Sequence, residues 1–371
     1  MRIGIVTIPP RSNYGGALQA YALQRVLKDM GHQADLIMPE LELFRIKPYL
    51  APFVYLKRAI CKYILRDKST KIFLNKVCLD QFNTANQHVI QFVNDNIEQY
   101  HCKDYTYIPS KAFEALVVGS DQVWVRDLIN VYLEFAQTWN IKRYTYAVSF
   151  GHATLKRYTP DQIEQCKSLV GLFDAISVRE DSGVTICREQ FDVEATHLLD
   201  PTILLSKEDY MELADKEPRQ ENILFSYVLD KNDDKTTIIE TCCNKLKLKA
   251  LSIIPKGEHV LYQDVDNIQD YIKASPYKWL AGIRDAEFIV TDSFHGVVFS
   301  IIFNKPFVAI MNKERGATRF TSLLKTFGLE DRIVSNSDEL TDRHFTPIDY
   351  SAINKIKQEW QQRSFEFLKQ L

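Results

Sequence analysis

A two-domain α/β protein is what this 371-residue chain predicts, and three observations carry the prediction. Short apolar runs of the kind that fill a buried parallel strand recur along the sequence, each followed by a stretch with helical spacing. The length exceeds what one hydrophobic core usually covers, so two domains are expected. Polar turns stand where the apolar runs end, and in open α/β sheets ligands bind there.

Arg2 to Ile8 reads as the first strand, Pro9 to Gly16 as a loop, and Ala17 to Met30 as a helix stopped by Gly31. Gln33 to Met38 resumes as strand, and a helical stretch runs from about Leu74 to Gln99. Further strands are expected at Ala115 to Val118, Tyr144 to Phe150 and Ala175 to Val178, ending in GSDQVW, SFGH and SVRED. The Asp200-Pro201-Thr202 turn and the charged stretch Ser206 to Glu221 read as a boundary. Asn222 to Val228 and Lys249 to Ile254 follow as strands, and Ser275 with Pro276 opens a helix to about Arg284. Phe288 to Val290 is the apolar end of another strand, Val297, Val298, Ile301 and Ile302 recur as a helix, and Phe307 to Met311 is the next strand. Ile353 to Leu368 is an amphipathic helix. The expected domains are therefore 1–205, with a basic helical insertion at 41–110, then 206–350, and a helix at 351–371 that packs back on the first domain.

Hydrophobic residues at 46% and charged residues at 25% describe a globular chain, and a net charge of −2 gives no reason to expect nucleic-acid binding. Seven cysteines without a C-x-x-C pair disfavour a disulfide framework and a zinc knuckle, so reduced, mostly buried thiols are expected. No cluster has metal-ligand spacing, and no metal is expected. The amino-terminal MRIGIVTI is too short an apolar run for a signal peptide, and nothing approaches the ~18 apolar residues of a membrane span, which points to a cytoplasmic protein. The sequence does not identify the oligomeric state.

One local imbalance stands out. Between Leu41 and Lys76 nine basic residues face only Glu42 and Asp67, interleaved with Phe44, Tyr49, Phe53, Tyr55, Leu56, Ile60 and Ile64. This composition fits either a solvated helical insertion, which Pro48 and Pro52 favour by interrupting the periodicity, or an element that contacts the cytoplasmic membrane surface.

The candidate chemistry lies at strand ends. In TDSFHG, Ser293 reads as an N-cap, His295 sits at a helix amino end that favours anions, and Gly296 allows close backbone approach to a ligand. An ordinary capped helix with a hydrogen-bonded histidine has the same pattern. Gly15 and Gly16 allow a ligand near the loop, or only supply a positive-φ turn. Asp121 reads as a cap or a base, and Arg179 as a surface partner of Glu180 or an oxyanion clamp.

In this order, NYGGALQAYAL (Asn13 to Leu23), VVGSDQVW (Val117 to Trp124), YAVSFG (Tyr146 to Gly151), ISVRED (Ile176 to Asp181), LDPT (Leu199 to Thr202), TDSFHG (Thr291 to Gly296) and Arg319-Phe320 followed by SLLKTFGLEDR resemble the polysaccharide pyruvyl transferase family. The resemblance implies two Rossmann-like domains facing a cleft, as in GT-B glycosyltransferases. It also implies transfer of pyruvate from phosphoenolpyruvate to a sugar of a surface-polysaccharide precursor, closing a ketal, with the acceptor carried on a lipid and no separate cofactor. Asn13, Tyr14, Gly15, Asp121 and His152 are then expected on the acceptor side, with Asp121 as base. Arg179, Ser293, His295 and Gly296 are expected on the donor side, with His295 as acid or phosphate ligand. Relatives place an arginine where this chain has Ser293, so Arg315 or Arg319 is expected to supply that charge. A GT-B glycosyltransferase with a nucleotide-sugar donor, and more remotely a non-catalytic phosphosugar-binding protein, would use the same architecture.

Overall fold

The structure is a computed structural model, and it describes residues 1–41, 46, 48–67, 69–124, 129–257, 265, 267–312 and 317–371. The amino-terminal half carries β1 (Arg2–Val6), α1 (Tyr14–Asp29), β2 (Gln33–Pro39), α2 (Ala51–Tyr63), α3 (Leu74–Ala85), α4 (Gln87–Asn96), β3 (Gln99–Cys102), β4 (Ala115–Val118) and β5 (Lys142–Thr145). It continues with α5 (Pro160–Val170), β6 (Ser177–Val178), α6 (Asp181–Ile186) and β7 (Thr196–His197). The second half comprises α7 (Lys207–Ala214), β8 (Ile223–Tyr227), α8 (Asp233–Leu246), β9 (Lys249–Leu251), α9 (Pro276–Asp285), β10 (Phe288–Thr291) and α10 (Phe294–Ile302). It is completed by β11 (Phe307–Ile310), α11 (Ala317–Phe327), β12 (Ile333–Val334) and α12 (Tyr350–Leu368).

Each half holds a parallel sheet. The first runs β3-β2-β1-β4-β5 and the second β12-β11-β10-β8-β9, both with the order reversal of a doubly wound fold. Apolar runs such as Ala115–Val118 and Phe288–Thr291 are buried along their whole length, as strands covered by helices on both faces must be. One buried cluster joins Ile3, Leu18 and Val117 of the first half to Phe225, Ile289 and Phe299 of the second, so the halves share a core. Between them, Tyr14 packs its ring 6.1 Å from Trp279 and 6.0 Å from Tyr227.

Several expectations change in detail. The glycines of the NYGG segment lie inside the first turn of α1, where Asn13 Oδ1 accepts from the Gly15 amide at 2.9 Å and the Gly16 amide at 3.4 Å. Neither has a positive φ. The single helical stretch expected from Leu74 to Gln99 is two helices broken at Asn86, and β3 begins at its end. Beyond Thr145 the expected strand continues irregularly, with Ala147 at φ 48° and Val148 bridging Asp121 and Val178. The charged stretch after Ser206 is α7, opened by a capping box in which Ser206 and Asp209 satisfy each other's amides. α12 starts where Tyr350 donates to the Lys305 carbonyl and reaches the first half, where Gln361 donates to Ile203 O at 2.6 Å and Trp360 meets His197 at 4.9 Å. No disulfide joins the seven cysteines, and Cys78, Cys166, Cys187 and Cys242 are buried. No described helix is long and apolar enough to cross a membrane.

Candidate active site

A cleft of about 590 Å³ opens between the two sheets, and its walls are the carboxyl ends of parallel strands. From the first half come Ser12, Asn13, Tyr14 and Gly16 after β1, Asp121 and Gln122 after β4, and His152 and Arg157 beyond β5. From the second come Leu229 and Asp230 after β8, Lys273 just before α9, Ser293, Phe294 and His295 after β10, and Arg319 on α11. In each sheet the strands that flank the reversal of order contribute: β1 and β4 in one, β8 and β10 in the other. The cleft thus joins two topological switch points, the place where a doubly wound sheet leaves a crevice.

Beneath the cleft lies a buried ionic knot. Asp200 Oδ2 accepts from Arg179 Nη1 and Ser120 Oγ, both at 2.9 Å, while Thr202 donates to Oδ1 from its hydroxyl at 2.7 Å and its amide at 3.1 Å. His295 Nε2 stands 3.5 Å from Asp200 Oδ2, an electrostatic contact longer than a well-formed hydrogen bond. Burial alone would push the Asp200 carboxyl up. The contact and charge of His295, with Arg179 and Thr202, instead hold it far below the usual carboxylate range. Glu180 is moved the other way: burial raises its carboxyl against the charge of Arg179 and a hydrogen bond from Ser149.

Arg179 is 1% exposed and does not line the cleft. Its guanidinium lies 4.4 Å from the centre of the Phe294 ring, behind the wall that the ring forms. It is not a surface pair with Glu180, whose oxygen is 3.8 Å away and also buried, and its Nε and Nη2 make no hydrogen bond among the described residues. Asp121 stands 3.9 Å from Arg179 and faces the cleft, with its backbone at φ 86°, a left-handed conformation that costs a non-glycine residue about 1–3 kcal/mol and gathers at functional sites. Ser293 occupies the N-cap position of α10, but its side chain caps nothing, and it lines the cleft. Gly296 does not line the cleft; a Cβ there would fall 2.2 Å from Thr291 Oγ1, so its hydrogen lets α10 start hard against β10. Gly15 is likewise reserved for packing, since a Cβ would meet His295 Nδ1 at 2.0 Å. His295 thereby bridges the halves, lying on Gly15 and facing Asp200. Asn13 spends its side-chain oxygen on capping α1, and buried Tyr14, its hydroxyl pushed well up by burial, belongs to the aromatic seam. Arg315 lies outside the described residues.

His152 is shifted down by burial and by the charges of Arg157 and Arg319, which brings cations of both halves to one flank of the cleft. Arg319 also lies 5.7 Å from the Phe294 ring centre. On the wall near the β1 loop, Lys273 donates to the Ser12 carbonyl at 2.7 Å, and among the described residues no carboxylate pairs with it. Burial lowers it to about 8. Lys273 and Arg157 carry no motif of their own. Asp200 does, in LDPT, yet its place under His295 follows only from the fold. Among the described residues no cluster of three or more His, Cys, Asp or Glu side chains is placed to hold a metal.

The fold and cleft define a GT-B-like protein, with two doubly wound halves facing a shared site. The family model described as polysaccharide pyruvyl transferase matches residues 13–314, and the chain belongs to that family. No curated protein matches the sequence. Among solved structures, the chain is similar to a UDP-GlcNAc 2-epimerase from Neisseria meningitidis bound to UDP-GlcNAc, at 10% identity and TM-score 0.49, covering 98% of this chain and 94% of that one. It is similar to the Methanocaldococcus jannaschii UDP-GlcNAc 2-epimerase in complex with UDP-GlcNAc and UDP, at 13% identity and TM-score 0.49 over 100% of both chains. A glycosyltransferase from Rickettsia africae matches at 11% identity and TM-score 0.45, over 98% of this chain and 93% of that one. These likenesses add nothing to what the strand order shows.

Proposed function

We propose that this transferase moves the pyruvyl unit of phosphoenolpyruvate onto two hydroxyls of one sugar in a surface-polysaccharide precursor, releasing inorganic phosphate and closing a cyclic ketal. The observation that supports this most is the convergence of Lys273, Arg157 and Arg319 with the amino end of α10 on one cleft, in a chain of this family. Phosphoenolpyruvate presents a phosphate and a carboxylate on three carbons, and both need cationic or N–H partners at close range. The resemblance leads one to expect an arginine where Ser293 stands, which leaves this end one cation short; Arg319, on the same wall, supplies another.

The chemistry runs in balanced steps. Protonation at C3 turns the enol carbon C2 into an electrophile, and one sugar hydroxyl adds there as its proton passes to a base. Phosphate then departs with the C2–O bond pair, and a second hydroxyl of the same sugar takes its place as its proton passes to the released phosphate. Asp121, on the wall of the first half, is the group we assign to the attacking hydroxyl. His295, whose Nε2 faces Asp200 at 3.5 Å, is assigned to the phosphate end, and His152 to the acceptor. Incubation with phosphoenolpyruvate and a panel of lipid-linked and synthetic glycosides, following phosphate release and product mass, tests the reading. His295→Ala should lower turnover about a hundredfold in that assay, the usual cost of one lost acid or oxyanion partner. Product formed from a nucleotide sugar with release of its nucleoside diphosphate, and none formed from phosphoenolpyruvate, would replace the reading with glycosyl transfer.

A further inference from the structure

α2 buries none of its residues, although it is rich in large apolar side chains. Phe53, Leu56, Ile60 and Tyr63 recur at helical spacing and are 40–70% exposed, so they form one ridge along the outer side of the helix. Ile64 and Leu65 extend it at 72% and 69% exposure. The other side of α2 is tied to the protein: Arg58 Nη1 donates to Ile72 O at 3.2 Å, and the Tyr55 ring packs 5.4 Å from Phe73. Pro52 does not interrupt this helix. It occupies the first turn, where its missing N–H costs nothing.

A ridge of this size held in water is a contact surface rather than a folding element. Its flanks identify the partner. Lys57 and Arg66 are exposed beside the ridge, and between positions 41 and 76 nine bases face two acids in a chain whose net charge is −2. Two copies of this face would bring like charges together across an isologous contact, which opposes self-association. An anionic bilayer satisfies both features, taking aromatic and aliphatic side chains into its headgroup boundary and the lysines and arginines at its surface. We propose that the α2 ridge seats this enzyme on an anionic lipid surface. The seat lies on the side of the first half: α3, the next helix, lines a cavity with Pro10 and Arg11, and Pro10 also lines the main cleft. The proposal does not depend on which group the cleft transfers.

Cosedimentation of the full chain with vesicles of phosphatidylcholine alone, or mixed with phosphatidylglycerol, at low and high salt, tests it. Binding should need the anionic lipid and weaken with salt. Changing Lys57, Lys62 and Arg66 together to Gln should weaken it about tenfold or more, and changing Phe53, Leu56 and Ile60 together to Ser should abolish it even at low salt. Because α2 buries nothing, both variants should melt with the wild type. Phe53→Trp keeps the ridge intact and should blue-shift its emission on anionic vesicles only. A wild type that ignores anionic vesicles at low salt, an unshifted Phe53→Trp, or a dimer that the Ser variant dissociates would overturn the proposal.

Discussion

Arg179 and Lys273 are both cations near the cleft, and burial divides their roles. Arg179 is enclosed with Asp200, so Arg179→Ala strands a buried carboxylate and should cost about 3–5 kcal/mol in a denaturant titration, before any effect on turnover is read. Unchanged stability would return Arg179 to the ligand side. Lys273 faces the cleft and titrates near 8 because burial disfavours its charged form. Below that pH the protonated amine attracts an anion; above it the attraction is lost. The dissociation constant of phosphoenolpyruvate should therefore rise as pH climbs through about 8. In Lys273→Gln it should be about tenfold or more weaker at neutral pH and lack that rise, and parallel pH curves for both proteins would remove Lys273 from the donor site. At this scale the sequence was a partial guide. The turn holding His295 and Ser293, and the cleft positions of Asp121 and His152, were legible because strand ends in α/β sheets are identifiable from apolar runs, whereas Arg319 on α11 was expected only from the family resemblance. Lys273 was not, because a lone lysine acquires meaning only from what the fold packs around it.

Between elements, the close approach of α1 to α10 decides how the halves meet. The His295 ring lies where a Gly15 side chain would begin, so Gly15→Ala should destabilise by about 1–3 kcal/mol through overpacking and lower turnover by displacing His295. Thermal melts and steady-state rates read both effects. Gly296→Ala, which presses on Thr291 within its own turn, should cost stability without loosening the contact between halves. The strands flanking the switch points were legible from their unbroken apolar runs. β3 was not: QYHC is half-buried at a sheet edge and has no such run. The stretch holding α7 was read only as a charged boundary because its eight residues carry three acids, yet Tyr210, Leu213 and Ala214 are buried on its inner side.

At the scale of the molecule, two switch points face one another, which gives the cleft one wall from each half. If Asp121 serves the acceptor from the first half, Asp121→Asn should lower the chemical rate and leave phosphoenolpyruvate affinity near that of the wild type in a binding titration; an equal loss of both would move it to the donor wall. The central claim is that the transferred carbon ends as a ketal, and mass alone does not separate a ketal from an enolpyruvyl ether. Proton NMR of the product made in heavy water does, because only ketal formation turns C3 into a methyl group. The account predicts a methyl signal carrying one deuteron, appearing in step with released phosphate. A vinyl signal, or a product formed only from a nucleotide sugar, would contradict it.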